Sequence, residues 1–231
     1  MTHSLLASRR FAPLFLRQFF AAFNDNFVKN ALVLLILARM AEGGASLVTL
    51  AGSAFIAPYF LLSAIGGEIA DKYDKARVTR WLSVAEVVVA SLSAAGFLFA
   101  SLPTLFSALI LFGVTGALFG PIKYGILPDH LTCEELPAGN ALVESATFFA
   151  ILAGTIAGGA ALHAGDGEIL AAGVIAVALL ALGAAWLIPP TGRADPQLAI
   201  DANVLRSTYK LLRHLRAQKE LRRLAIVTSL F

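Results

Sequence analysis

Charge is what this sequence has least of. Asp, Glu, Lys and Arg make up 14% of the 231 residues, against 58% hydrophobic residues. A water-soluble domain of this length can bury a good core, but it also needs a charged surface, and this chain carries too little charge to make one. A single cysteine, Cys133, leaves no internal disulfide. Gly-x-Ser-x-Gly, His-Glu-x-x-His, Walker and dinucleotide glycine patterns are all missing. Their absence argues against nucleophile-elbow hydrolases, zinc peptidases of that motif and ATP-driven pumps. His3, His130, His163 and His214 are scattered, so no metal or other cofactor is expected. The first apolar block reads as too long for a secretory signal and lacks a fitting small-residue cleavage site.

What the chain does have is apolar residues in long blocks. Runs of about 20 such residues match the hydrocarbon thickness of a bilayer at the rise of an α-helix. Six spans are expected, at roughly 14–38, 47–70, 79–101, 103–124, 138–163 and 168–189. They read as helices, because an isolated strand cannot satisfy its backbone in lipid and no barrel alternation is present. A seventh apolar segment begins near Leu221 and is cut short at Phe231, as in a fragment of a longer protein. The expected organisation is a six-helix bundle over 1–189, a cytoplasmic linker over 190–220 and the start of a seventh helix over 221–231.

The net charge of +3 is small and its positions are informative. Arg9 and Arg10 precede the first span, and Lys72, Lys75, Arg77 and Arg80 lie between the second and third. Arg193, Arg206, Lys210, Arg213, Arg216, Lys219, Arg222 and Arg223 follow the sixth, whereas the other side shows only Arg39. This bias places the N-terminus and the linker in the cytoplasm, and it speaks for membrane orientation rather than a nucleic-acid partner. Within the linker, Val204, Leu205, Tyr209, Leu211, Leu212 and Leu215 fall near one helical face and the basic residues on another. Such a helix suits either an anionic leaflet or the cytoplasmic face of the bundle.

The first span holds a polar cluster, Asn24-Asp25-Asn26, followed by Lys29 and Asn30. Each charge at the centre of a membrane helix costs about 2.5–3.5 kcal/mol on insertion scales. At 100° per residue, Asp25, Asn26, Lys29 and Asn30 share one face, with Asn24 to the side. That stripe should face protein or a wet cavity. A simpler alternative is an i,i+4 Asp25–Lys29 pair that neutralises itself. Glu86 in the third span is a further intramembrane acid, expected to serve packing or gating, or to carry a proton.

The loop after the second span reads Gly67-Glu68-Ile69-Ala70-Asp71-Lys72-Tyr73-Asp74-Lys75-Ala76-Arg77. It resembles the signature loop of the major facilitator superfamily, Gly-x-x-x-Asp-Arg/Lys-x-Gly-Arg/Lys-x-Arg/Lys. Gly67, Asp71, Lys72, Lys75 and Arg77 match it, and Asp74 stands where glycine is usual. The resemblance implies an all-α membrane fold, the six-helix N-terminal half of a 6+6 bundle whose other half is its partner. It also implies a conformational latch built on this loop.

Glycines recur in the fourth and fifth spans as Gly116/Gly120 and Gly154/Gly158, spacings that let helices approach closely. Lys123 and Glu144 lie at similar depths and are placed to face each other. The segments Phe19–Asn26, Pro121–Leu127 and Asn140–Thr147 are similar to the bacterial lysophospholipid transporter family. That resemblance implies flipping of lysophosphatidylethanolamine and lysophosphatidylglycerol to the cytoplasmic leaflet for reacylation, in some relatives by a fused or partner acyltransferase. It makes Asp25, Asn26, Lys123 and Glu144 substrate-binding or gating positions. For Lys123 the plainer reading is snorkelling, and for Glu144 a carboxylate at a helix start. Two other functions remain open from sequence: a proton-coupled exporter of drugs or small solutes, and a non-transporting anchor for a lipid acyltransferase.

Overall fold

The computed structural model describes residues 5–40, 43–163, 167–192, 195, 197–198, 200, 203–218, 220 and 222–223. Six long apolar helices dominate it: α1 (Ala12–Arg39), α2 (Gly44–Lys72), α3 (Lys75–Leu98), α4 (Leu102–Gly125), α5 (Leu136–His163) and α6 (Gly167–Trp186). Each is long and apolar enough to cross a membrane. A single turn, Leu127–His130, links α4 to α5, and α7 (Val204–Ala217) follows the bundle. The expected seventh span falls mostly on 224–231, outside the described residues.

Local chemistry explains where the helices begin. Proline sits in the first turn of α1 and of α4, where its missing N–H is one that no intrahelical acceptor needs. Helix α3 starts at Lys75, four residues before the expected 79, because Asp74 caps it: its Oδ1 accepts the Arg77 N–H at 2.7 Å. Hydropathy alone cannot see that polar first turn. Pro58 interrupts the hydrogen bonding inside α2, and Gly113 of α4 packs against that stretch, next to the Phe55 carbonyl and the Pro58 ring.

The most extensive packing is of α1 on α5, α2 on α4 and α3 on α6, followed by α1 on α6 and α3 on α4. Exchanging α1 with α4, α2 with α5 and α3 with α6 maps this set of neighbours onto itself. That is the packing signature of two three-helix repeats, which no sequence similarity between the triplets reveals. At the α1–α5 seam, Gly154 and Gly158 lie directly against the carbonyls of Phe23 and Phe27. A methyl group at either position would overlap backbone that cannot move aside. Gly158→Leu is therefore expected to cost about 1–3 kcal/mol, read as a lower melting temperature of the detergent-solubilised protein. Gly120, by contrast, has open space around it, so the expected Gly116/Gly120 pair is not a close-approach pair.

Two apolar clusters form the interior. One, near the α1 N-terminus, includes Phe11, Leu14, Ile122, Val143 and Ile188; the other includes Leu32, Ile36, Leu109, Phe112 and Val174. On α1 the polar stretch from Arg17 to Asn26 lies between them. Large apolar side chains such as Phe60, Phe148, Phe149 and Ile156 point outward, 62–78% exposed, as expected where the solvent is lipid or another apolar surface.

Helix α7 forms in the linker where the periodicity placed a helix, and one of its contacts lies outside the expected apolar face. Ser207 is buried and its hydroxyl donates to Glu68 Oε1 at 2.7 Å, fixing α7 against α2. Tyr209 and Leu212, assigned to the apolar face, are exposed. The side chains of Leu205, Leu211 and Leu215 lie outside the description.

Candidate functional site

Helix α1 supplies the site's main wall. Arg17, Ala21, Asp25 and Lys29 follow one another at intervals of four, so they line up along one face, with Gln18, Ala22 and Asn26 in the next row. Both rows border a cleft of about 320 Å³, closed by residues of α2, α4 and α5 and by Glu86 of α3. Its size is that of a small-ligand pocket.

At its base lies an ion pair that sequence reasoning did not identify. Arg17, 1% exposed, donates from Nη2 to Glu86 Oε1 at 2.6 Å and from Nε to Ser83 Oγ at 3.3 Å. Its guanidinium also stacks 3.5 Å from the centroid of the Phe119 ring. Glu86, expected to serve packing, gating or proton transfer, is thus bound to α1, and its Oε2 is buried without a hydrogen-bond partner among the described residues. The signal that could have found Arg17 was its place in the four-residue series leading to Asp25.

On the opposite wall, Lys123 Nζ donates to Glu144 Oε1 at 3.1 Å and to Thr147 Oγ1 at 3.0 Å. Tyr124 donates its hydroxyl to the same Glu144 oxygen, and Gln18 Nε2 reaches Thr147 at 3.2 Å. The facing of Lys123 and Glu144 matches the depth argument. Lys123 is buried and paired rather than snorkelling. Glu144 lies eight residues into α5, whose first turn carries no acid, so helix-start electrostatics do not account for it. Thr147 and Gln18 were not assigned roles from sequence.

Asp25 is half-buried in the cleft and accepts no hydrogen bond from the described residues. It forms no ion pair with Lys29, whose ammonium lies 5.3 Å from the Phe55 ring centroid. The close i,i+4 ion pair is therefore not formed, although the two charges stay within electrostatic reach of each other. Asn26 bonds back to the Ala22 carbonyl at 2.8 Å while bordering the cleft. Asn24 and Asn30 turn away and tie α1 to its neighbours, donating to Val174 O on α6 at 3.1 Å and Thr155 O on α5 at 2.7 Å.

A profile of the Major Facilitator Superfamily matches residues 14–231. The chain belongs to the major facilitator superfamily. Among its relatives are proteins named lysophospholipid transporter LplT. That of Cronobacter sakazakii is 35% identical over 230 residues, covering 98% of this chain and 55% of the relative. That of Pectobacterium carotovorum is 34% identical over 193 residues, covering 83% and 45% respectively. That of Yersinia pestis (strain Pestoides F) is 35% identical over 157 residues, or 67% of this chain and 36% of the relative. The chain spans about half the length of the curated relatives it matches.

The loop between α2 and α3 is tied down by its own side chains. Asp74, at the usual glycine position, accepts N–H bonds from Arg77, Thr191 and Gly192, joining the start of α3 to the segment after α6. Lys75 reinforces the joint, with its N–H on Thr191 Oγ1 at 3.0 Å and its ammonium on Asp129 at 2.9 Å. Burial raises the Asp74 pKa, but the three N–H groups and the charge of Arg80 outweigh it, and the carboxyl sits below its ordinary range. A depressed folded pKa stabilises above the unfolded value, so this joint should hold through neutral pH and loosen only as pH falls below the usual aspartate range of about 4. Asp74→Ala is expected to cost about 1 kcal/mol through the lost cap. It should also raise proteolysis after Pro190 at neutral pH. Asp71 and Arg77 are exposed, Lys72 lies 5.6 Å from the Tyr73 ring, and Gly67 has open space around it.

Proposed function

We propose that the chain is the N-terminal half of a transporter that moves lysophospholipids across the bacterial inner membrane to the cytoplasmic leaflet. There the product would be reacylated, by a fused or partner acyltransferase. The observation that carries this reading is the state of the cleft's charges. Glu86 and Glu144 each form an ion pair with a basic side chain, whereas Asp25 forms none among the described residues. A zwitterionic headgroup supplies what is missing: an ammonium for Asp25, and a phosphate that competes with Glu144 for Lys123. The single acyl chain stays against apolar walls or lipid. Relatives named lysophospholipid transporters support the same substrate class.

In this reading the basic end of the bundle is cytoplasmic, in keeping with the positive-inside bias. Gly67, Asp71, Lys72, Lys75 and Arg77 form the latch, with Asp71 free to meet the C-terminal half. Lys123→Gln in the full-length protein is expected to weaken lysophosphatidylethanolamine uptake about tenfold or more, the worth of one charge-assisted hydrogen bond. Labelled-lipid uptake by cells expressing the variant tests it, and unchanged uptake would remove Lys123 from the site.

The partnerless Glu86 oxygen, in the same cleft as Asp25, favours a second reading in which the pair carries a proton and a small solute is exported. Transport that collapses with the pH gradient and ignores lysolipids would select it.

A further inference from the structure

The sequence contains two tryptophans, and both lie in one place outside the transport cleft. On α3, Arg77, Arg80, Trp81 and Val84 follow the i, i+3, i+4, i+7 rule and form a single face. That face meets Trp186 at the end of α6 around a hollow of about 330 Å³, which shares no lining residue with the cleft. Trp81 and Trp186 are 70% and 60% exposed, and Val88, one turn beyond Val84, is 65% exposed.

Basic charge outweighs acidic here, two arginines against the one carboxylate of Asp74. Arg77 is exposed and its side chain makes no hydrogen bond among the described residues. Arg80 donates to the Ile188 carbonyl at 2.6 Å and lies 5.7 Å from the Trp186 ring, but its Nε is buried without a partner. Asp74, the acid within electrostatic reach of Arg80, is already engaged by three backbone N–H groups. From the basic end inward, the order is thus two arginines, two amphipathic aromatic rings, then an apolar strip. A glycerophospholipid presents a phosphate, a glycerol-ester zone and an acyl chain in that order. Arginine pairs with phosphate, and tryptophan prefers the headgroup boundary.

We infer that this hollow is a binding site for an anionic phospholipid of the surrounding leaflet. The phosphate sits between Arg77 and Arg80, the glycerol region between Trp81 and Trp186, and a chain runs along Val84 and Val88. The site holds a resident lipid rather than cargo, since it is separate from the cleft. Its binding does not depend on the transport reading; only the name of the leaflet, cytoplasmic, does.

Tryptophan fluorescence of the full-length protein in vesicles tests this, with the signal of Trp81 and Trp186 isolated by difference from a W81F/W186F variant. Brominated phosphatidylglycerol is expected to quench that signal more strongly than brominated phosphatidylcholine. Because Arg80 also holds the Ile188 carbonyl, the decisive variant is R77Q, which should lose about fivefold of the phosphatidylglycerol preference. R77Q/R80Q should abolish the preference. Equal quenching by the two lipids, or an undiminished preference in R77Q, would overturn the site. So would relief of the quenching by inorganic phosphate at matched ionic strength. Lysolipid uptake by the wild-type preparation reports separately on the transport reading, since Arg77 also belongs to the proposed latch.

Discussion

Arg17→Met is expected to be the most destabilising single substitution in the bundle, costing about 3–5 kcal/mol, the penalty for leaving one partner of a buried ion pair uncompensated. Arg17 is 1% exposed and holds Glu86 at 2.6 Å, so its loss strands a carboxylate between α1 and α3. The stacking on Phe119 is lost as well, which loosens α4. Removing both charges should hurt far less, since replacing a whole buried pair by apolar residues is often close to neutral. The comparison to make is the melting temperature of full-length protein bearing Arg17→Met, Glu86→Leu or both. Recovery in the double variant separates a coupled pair from two independent losses. Additive losses would show that the pair is not the unit.

Asp25→Asn is expected to leave folding intact and to weaken transport strongly, that of lysophosphatidylethanolamine most. The carboxylate accepts no hydrogen bond from the described residues, and asparagine is nearly isosteric, so the bundle should fold at least as well. A neutral residue here even lowers the cost of inserting α1. The substrate's cation loses its charged acceptor, worth about 1.5–3 kcal/mol, or roughly 10–100-fold in apparent affinity. Lysophosphatidylethanolamine should suffer more than lysophosphatidylglycerol, whose headgroup carries no ammonium. Uptake of the two labelled lipids, normalised to membrane-inserted protein, checks both the loss and its order. Equal loss for both would detach Asp25 from the ammonium.

The six spans were legible because bilayer thickness imposes a run length that composition cannot hide. Their ends were less so. Helix α3 begins at Lys75 on a cap whose polar turn any hydropathy window discards, and α6 ends at Trp186 although apolar residues continue to Ile188. The polar stripe of α1 was legible as a costly anomaly, and Asp25, Asn26 and Lys29 do border one cleft. Asn30 shares their face of the helix, yet α5 lies across it and takes its amide. Periodicity says which residues share a face, not which neighbour covers each turn of it.

Partners distant in sequence were beyond reach. Arg17 and Glu86 lie 69 residues apart, and nothing local marks them as a pair. Lys123 and Glu144 could be matched because they are close in sequence and at similar depth across one hairpin. Helix α7 shows the same limit: its period was readable, but the acceptor that seats it, Glu68, lies on α2. Asp74 showed in the sequence only as a residue standing where glycine is usual, whereas in the structure its Oδ1 caps α3 and its Oδ2 holds the chain after α6.

The central claim is that the cleft between Asp25 and Lys123 takes a lysophospholipid headgroup. Full-length protein in liposomes, with labelled lysophosphatidylethanolamine in the outer leaflet and albumin to extract what stays there, measures it directly. Protection of the label by wild-type protein but not by Asp25→Asn is the result predicted. Equal protection by both, or none by wild type while a small solute moves with the pH gradient, would contradict it.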